Sequence, residues 1–186
     1  MIDRITHRGP DGQGLLVDHP IYLGHCRLAI IDPTPEGHQP MGDSSGRYWI
    51  SYNGEIYNYR ELRRELEQLG SVFRSHSDTE VLLHAYRVWG RDLLDRLDGM
   101  FAFAIWDRKA KSLWLARDPV GIKPLFYASM KDRFLFASEI KAILAASVEP
   151  DADRDALGTF LAFGYVAAPA TGFQNVRQLL PGHEMT

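Results

Sequence analysis

The stretch MFAFAIWDRKAKSLWLARDPVGIKPLFYASMKDRFLFASE, from Met100 to Glu139, holds four strand-like runs: MFAFAIWD, SLWLARD, PLFYAS and RFLFASE. The links RKAK and MKD are too short for crossover helices, so neighbouring runs are expected to pair as antiparallel hairpins. An antiparallel sheet wet on one face alternates apolar with polar residues. Several of these runs are apolar nearly throughout, so both faces of each strand are expected to be covered. The arrangement that satisfies this is an α+β sandwich of four layers, helix over sheet over sheet over helix, with two mainly antiparallel sheets.

Outward from that stretch, elements alternate in short blocks. GLLVD and IYLGHCRLAIID read as strands, separated from the next strand, YWISYN, by the turn-rich PTPEGHQPMGDSSGR. The spacing of Leu62, Leu66 and Leu69 predicts a helix ended by Gly70, with Asn58 and Glu61 spaced as a capping box. A second helix is expected over SDTEVLLHAYRVWG, capped by Ser77 with Glu80 and buried through Val81, Ala85, Val88 and Trp89. SEIKAILAA and DRDALGTFLAFG read as two further helices. At 186 residues, 45% hydrophobic and 24% charged, the chain suits one domain with a sizeable core. A net charge of -3 gives no reason to expect nucleic acid or an anionic membrane as partner. One cysteine, Cys26, rules out an internal disulfide and fits a reducing, cytoplasmic setting, and the histidine and cysteine spacing gives no zinc site. MIDRITHRGPDG has no apolar core of a secretory signal.

Three groupings carry chemistry. Asn53-Gly54 offers a side-chain amide beside a backbone N–H freed by the lack of a Cβ, a donor pair suited to a developing oxyanion, although Asn-Gly alone is more often a turn. Arg27, Glu55 and Asp78 supply a guanidinium for a carboxylate and carboxylates for an ammonium, as recognition of a free α-amino acid requires. Taken singly each has a plainer role: an edge-strand residue, a solvated charge, a helix N-terminal acid. HRGPDGQG lacks both the spacing and the preceding strand of a dinucleotide fingerprint, so it reads as a loop in which His7 or Arg8 could face a pocket.

In order along the chain stand HRGPDGQG, LGHCRLAIID, GHQPM, YNGEIYN, SDTEVLLHAY, GMFAFAIWD, ARDPVGIKPLFY, FASEIKAIL and LLPGH. Together they resemble the glutamine amidotransferase (class II) domain of glutamine-hydrolysing asparagine synthetases, from about His7 to the end. The resemblance implies the N-terminal nucleophile hydrolase sandwich and a glutaminase domain over 1–186. It implies that Asn53 and Gly54 form the oxyanion hole and that Arg27 holds the α-carboxylate of L-glutamine. Glu55 and Asp78 would lie near its ammonium, with the backbone of a strand through Arg27, Leu28, Ala29, Ile30 and Ile31 lining the pocket. The glutaminase half implies no cofactor or metal. ATP and Mg²⁺ are implied for a C-terminal synthetase domain lying outside this chain.

One departure stands out. The family's nucleophile is an N-terminal cysteine whose own α-amine is the general base. This chain begins Met1-Ile2-Asp3, so the expectation is a sandwich without its first strand, either cut at both ends or begun at an internal methionine, and inactive as given. An uncovered sheet edge would also favour self-association, a homodimer among its forms. Cys26 is a poor substitute: its amine lies in a peptide bond, and His25 points to the opposite strand face. Two alternatives remain open, a nucleophile-free domain that binds glutamine or acts architecturally, and an amidotransferase with another acceptor.

Overall fold

The computed structural model describes residues 1–186. The chain forms strands β1 (Gly12–Asp18), β2 (Ile21–Arg27), β3 (Met41–Gly42) and β4 (Tyr48–Ile56), then helices α1 (Tyr59–Gln68) and α2 (Asp78–Trp89). Strands β5 (Gly99–Asp107), β6 (Ser112–Arg117), β7 (Phe126–Ser129) and β8 (Phe134–Ala137) follow, then α3 (Ile140–Leu144), α4 (Arg154–Phe163), β9 (Arg177–Gln178) and β10 (Glu184–Met185).

Every strand pair is antiparallel. One sheet of five strands has the order β10-β6-β5-β4-β3, a second of three has β8-β7-β9, and β1-β2 stands as a separate hairpin. Helices α1 and α2 cover one face of the larger sheet, burying Ile50, Tyr52, Ile56, Leu62, Leu66, Val81, Leu83, Phe103 and Trp114 in a common core. Its other face packs Ala102, Ala104 and Leu115 against Leu125, Tyr127, Phe136 and Leu179 from the smaller sheet's side. Helix α3 lies on β7 and β8 through Ile143 and Ile140. The α+β sandwich is therefore built, with β5 buried from Phe101 through Asp107, as its unbroken apolar run requires.

The turn between the sheets explains ARDPVGIKPL. Asp118, fully buried, accepts from the backbone N–H of Phe101, Val120, Ile122 and Lys123. The Arg117 guanidinium donates to the carbonyls of Lys123, Leu179 and Gly121. The two charges staple a corner whose backbone groups would otherwise be buried unpaired.

Several local expectations are corrected. Strand β2 ends at Arg27, and Leu28–Ile31 belong to no strand. The segment curls because Ala29 N–H donates to Asp11 Oδ2 and the Arg27 guanidinium grips the carbonyls of Asp32 and Thr34. Asn53-Gly54-Glu55 lies inside β4, paired with Ala102, Phe101 and Met100, rather than after a strand. Asn58 makes no capping bond; its amide accepts from Asp98 N–H at 3.1 Å and donates to Arg96 C=O at 2.9 Å, tying α1 to the approach to β5. Ser77 does cap α2, accepting from Thr79 N–H at 2.9 Å, but Glu80 reaches the preceding loop instead of Ser77. Leu69 and Val88 are exposed, while the neighbouring Tyr86 and Trp89 pack, partly buried, against the core. Helix α4 is capped by Asp153 and closed by Gly164 in the left-handed region, yet it buries only Ala156, so it lies outside the layers. No helix is long and apolar enough to cross a membrane.

Candidate functional site

A cavity of about 1210 Å³ opens between the two sheets and under the β1-β2 hairpin. All of Arg27, Leu28, Ala29, Ile30, Ile31, Asn53, Gly54, Glu55 and Asp78 line it, although they come from three separate stretches of chain. Three elements bring them there: the end of β2 with its curled continuation, the second half of β4, and the first turn of α2.

The β4 edge explains how donors come to face this space. In an antiparallel pair, successive N–H groups point alternately to the partner and away from it. Tyr52 N–H points away from β5 and donates to Gln39 Oε1 at 2.7 Å; Ile56 N–H points the same way and donates to Asp78 Oδ2 at 3.1 Å. Alternation aims the Gly54 N–H at this same edge, between the two. Strand β3 does not reach it, since β3 pairs only with Ile50 and Trp49. No side chain caps the Gly54 N–H. Next to it the Asn53 Nδ2 is buried and has no hydrogen-bond partner. A buried donor left bare costs roughly 1–3 kcal/mol, so folded chains rarely keep one without a use. Gly54 must be glycine for the strands to close, because a Cβ there would stand 2.3 Å from the Met100 carbonyl oxygen.

Asn53 and Glu55 share one face of β4 by the two-residue period. Asp78 stands at the strand edge, 5% exposed, and its Oδ2 accepts from the Tyr52 hydroxyl at 2.8 Å as well as from Ile56 N–H. Burial pushes the Asp78 carboxyl above its usual value, and these hydrogen bonds pull back only in part. Arg27 is 8% exposed; Nη1 donates to Thr34 C=O at 2.9 Å and Nη2 to Asp32 C=O. A guanidinium carries five N–H groups, so this anchoring leaves three for a ligand carboxylate. Gly37 makes room for it, since a Cβ there would stand 2.3 Å from Arg27 Nη2.

Cys26 also lines the cavity, but its Sγ lies 3.7 Å from the Ile2 carbonyl and burial pushes its thiol up. Burial, with Arg27 and His38 nearby, lowers His25 to about 4, which keeps its ring neutral near neutral pH. Arg8 lines the cavity, and both it and His7 are held by the Glu139 carboxylate, at 3.2 and 2.8 Å. The residues that sequence reasoning missed are Gln39, Tyr52 and Thr79. Gln39 sits in the quoted GHQPM and Tyr52 opens YNGEIYN, but only the fold shows that they meet. No cluster of His, Cys, Asp and Glu in the structure is arranged to hold a metal ion.

The fold superposes on the glutamine phosphoribosylpyrophosphate amidotransferase from B. subtilis with a TM-score of 0.59 and 31% identity, over 68% of this chain and 29% of that one. The glutamine amidotransferase domain family matches residues 1–186, and the chain belongs to it. Among curated relatives, asparagine synthetase [glutamine-hydrolyzing] 1 of Bacillus subtilis (strain 168) is 44% identical over 186 residues, covering 100% of this chain and 29% of that protein. Asparagine synthetase [glutamine-hydrolyzing] 3 of the same strain is 44% identical over 193 residues, covering 100% of this chain and 31% of that protein. The chain thus spans about three-tenths of the length of these relatives.

Proposed function

We propose that residues 1–186 form the L-glutamine-binding glutaminase domain of an enzyme of the asparagine synthetase type. In the complete protein, glutamine is hydrolysed through a thioester and the ammonia passes to an ATP-activated aspartate. Asn53 Nδ2 and the Gly54 N–H stabilise the oxyanion, and Arg27 holds the α-carboxylate. Glu55 and Asp78 face the ammonium, while the backbone of Leu28, Ala29, Ile30 and Ile31 closes the pocket. ATP and Mg²⁺ belong to a C-terminal synthetase domain, this domain's partner in the same cytoplasmic polypeptide.

The observation that carries this reading is the Asn53 amide, buried without a partner beside an outward-facing glycine N–H. A tetrahedral oxyanion supplies the acceptor that both donors lack. Cys26 does not fit the nucleophile's part, with its thiol raised by burial and turned to a backbone carbonyl. Hydrolysis is therefore assigned to the complete protein, and binding alone is expected of these residues. Isothermal calorimetry with L-glutamine on the purified chain tests this: saturable one-to-one binding, lost in Arg27→Ala, is expected. An absence of binding to the unaltered chain sinks the assignment.

A further inference from the structure

We infer that Tyr52 is a positioning residue for recognition of the ligand's α-ammonium, acting through Asp78 within a closed ring of hydrogen bonds. The inference rests on the reading of the cavity as a glutamine site and deepens it.

The ring is complete in the structure. Tyr52 hydroxyl donates to Asp78 Oδ2 at 2.8 Å, and Tyr52 N–H donates to Gln39 Oε1 at 2.7 Å. Gln39 Nε2 donates to Thr79 Oγ1 at 3.2 Å, and Thr79 follows Asp78 in the first turn of α2. One tyrosine thus ties the strand that carries Asn53 to the helix turn that carries Asp78, by its backbone on one side and its side chain on the other. Tyr52 and Asn53 are strand neighbours and point to opposite faces. The phenol therefore lies in the helix-covered core, 4% exposed, with its ring edge against Gly54 and its hydroxyl on the Asp78 carboxylate.

A carboxylate buried this deeply is costly to keep charged unless donors face it. Burial works against the Asp78 charge, and the phenol is one of two donors on Oδ2, the other being the Ile56 N–H. The phenol remains protonated and able to donate, since burial and the nearby Asp78 push its pKa far up. Tyr52 thus does two things for an incoming ammonium: it keeps the carboxylate ionised and fixes its orientation. The device acts on the ammonium end alone. A ligand with the same amide and carboxylate but no ammonium should not register its loss.

Calorimetry on the purified chain with two ligands tests this: L-glutamine, and glutaramate, which is glutamine without its α-ammonium. Tyr52→Phe should weaken glutamine about tenfold, the equivalent of one charge-assisted hydrogen bond, and leave glutaramate unchanged. In an Asp78→Asn background the same substitution should have no further effect on glutamine, because the group it acts through is gone. Equal weakening of both ligands, or an undiminished effect in Asp78→Asn, overturns the inference and leaves the glutamine reading standing. Failure of the unaltered chain to bind either ligand overturns both. Unchanged glutaramate affinity also reports that Tyr52→Phe is folded.

Discussion

The first turn of α2 carries two buried carboxylates, two residues apart, in opposite circumstances. Glu80 faces the loop before the helix and accepts from the N–H groups of Arg74 and Ser75 and from the Ser75 hydroxyl, at 2.6 to 3.1 Å. Burial alone would push its carboxyl up, but the His84 ring beside it, together with these donors, prevails and holds it down at about 2. Asp78 faces the cavity, and there burial prevails. The amides repeat the contrast. Gln39 uses both ends of its amide, on Tyr52 and Thr79, whereas Asn53 Nδ2 uses none. Most polar groups at the cavity are still satisfied by the fold, Gln39 and Asp78 among them, whereas Asn53 Nδ2 has no partner in it. Two other buried polar atoms lack partners, Ser71 Oγ and His84 Nδ1; neither residue lines this cavity, and His84 borders a separate, smaller one with Arg74 and Glu80.

The sharpest way to break this contrast is Asn53→Ala. In the complete enzyme it should lower glutamine hydrolysis by about 10²–10³-fold, the usual cost of one oxyanion donor. In the chain described here it should not lower the urea midpoint, because Nδ2 makes no bond to lose. A clear drop in stability would place Asn53 with the structural amides and dissolve the distinction.

Glu80→Gln comes next. It sets an amide N–H₂ against donors that now meet a carboxylate, and unfolding in urea should show a loss of about 2 kcal/mol at pH 7. The sign of the pH dependence follows from a folded value held at about 2, below the ordinary 4.5. The contribution is fully present above pH 4.5 and is lost as pH falls toward 2. The variant's acid limb should therefore be flatter than that of the unaltered chain over this window. Gln39→Met should cost somewhat less, roughly 1–2 kcal/mol, chiefly by leaving the Tyr52 N–H without its acceptor. A variant as stable as the unaltered chain would show that water replaces the glutamine and that the ring is not closed in solution.

The sequence showed the two ends of this contrast unequally. The layers were legible because MFAFAIWD and SLWLARD are too apolar to tolerate a wet face, and their short link allows only a hairpin. The Asn53, Glu55, Asp78 and Arg27 candidates were legible as types of chemistry, and motif order drew them into one site. Position was not. Asn53-Gly54 looked like a turn before a helix, because no local signal says that β5 runs beside it and keeps the pair extended. The Asn58 side chain met a capping pattern and was diverted to Arg96 and Asp98, a pairing across 38 to 40 residues that spacing cannot encode. For the same reason Gln39 went unnoticed, since both its partners are distant in the chain.

Asp78→Asn is the smallest expected effect and the most pointed test of the contrast, because its sign is opposite to that of Glu80→Gln. Burial raises the folded carboxyl above its ordinary 3.8, so the folded state takes up a proton more readily than the unfolded chain. Stability contributed by this group therefore rises as pH falls through the raised value, and at neutral pH the ionised form is a net cost. An asparagine oxygen can still accept from Tyr52 and Ile56 without that charge. The variant's urea midpoint at pH 7 should match or slightly exceed that of the unaltered chain, and the gap should close as pH is lowered toward 4. A midpoint that drops at pH 7 would mean that Asp78, like Glu80, holds the fold together and that the cavity has no special claim on it.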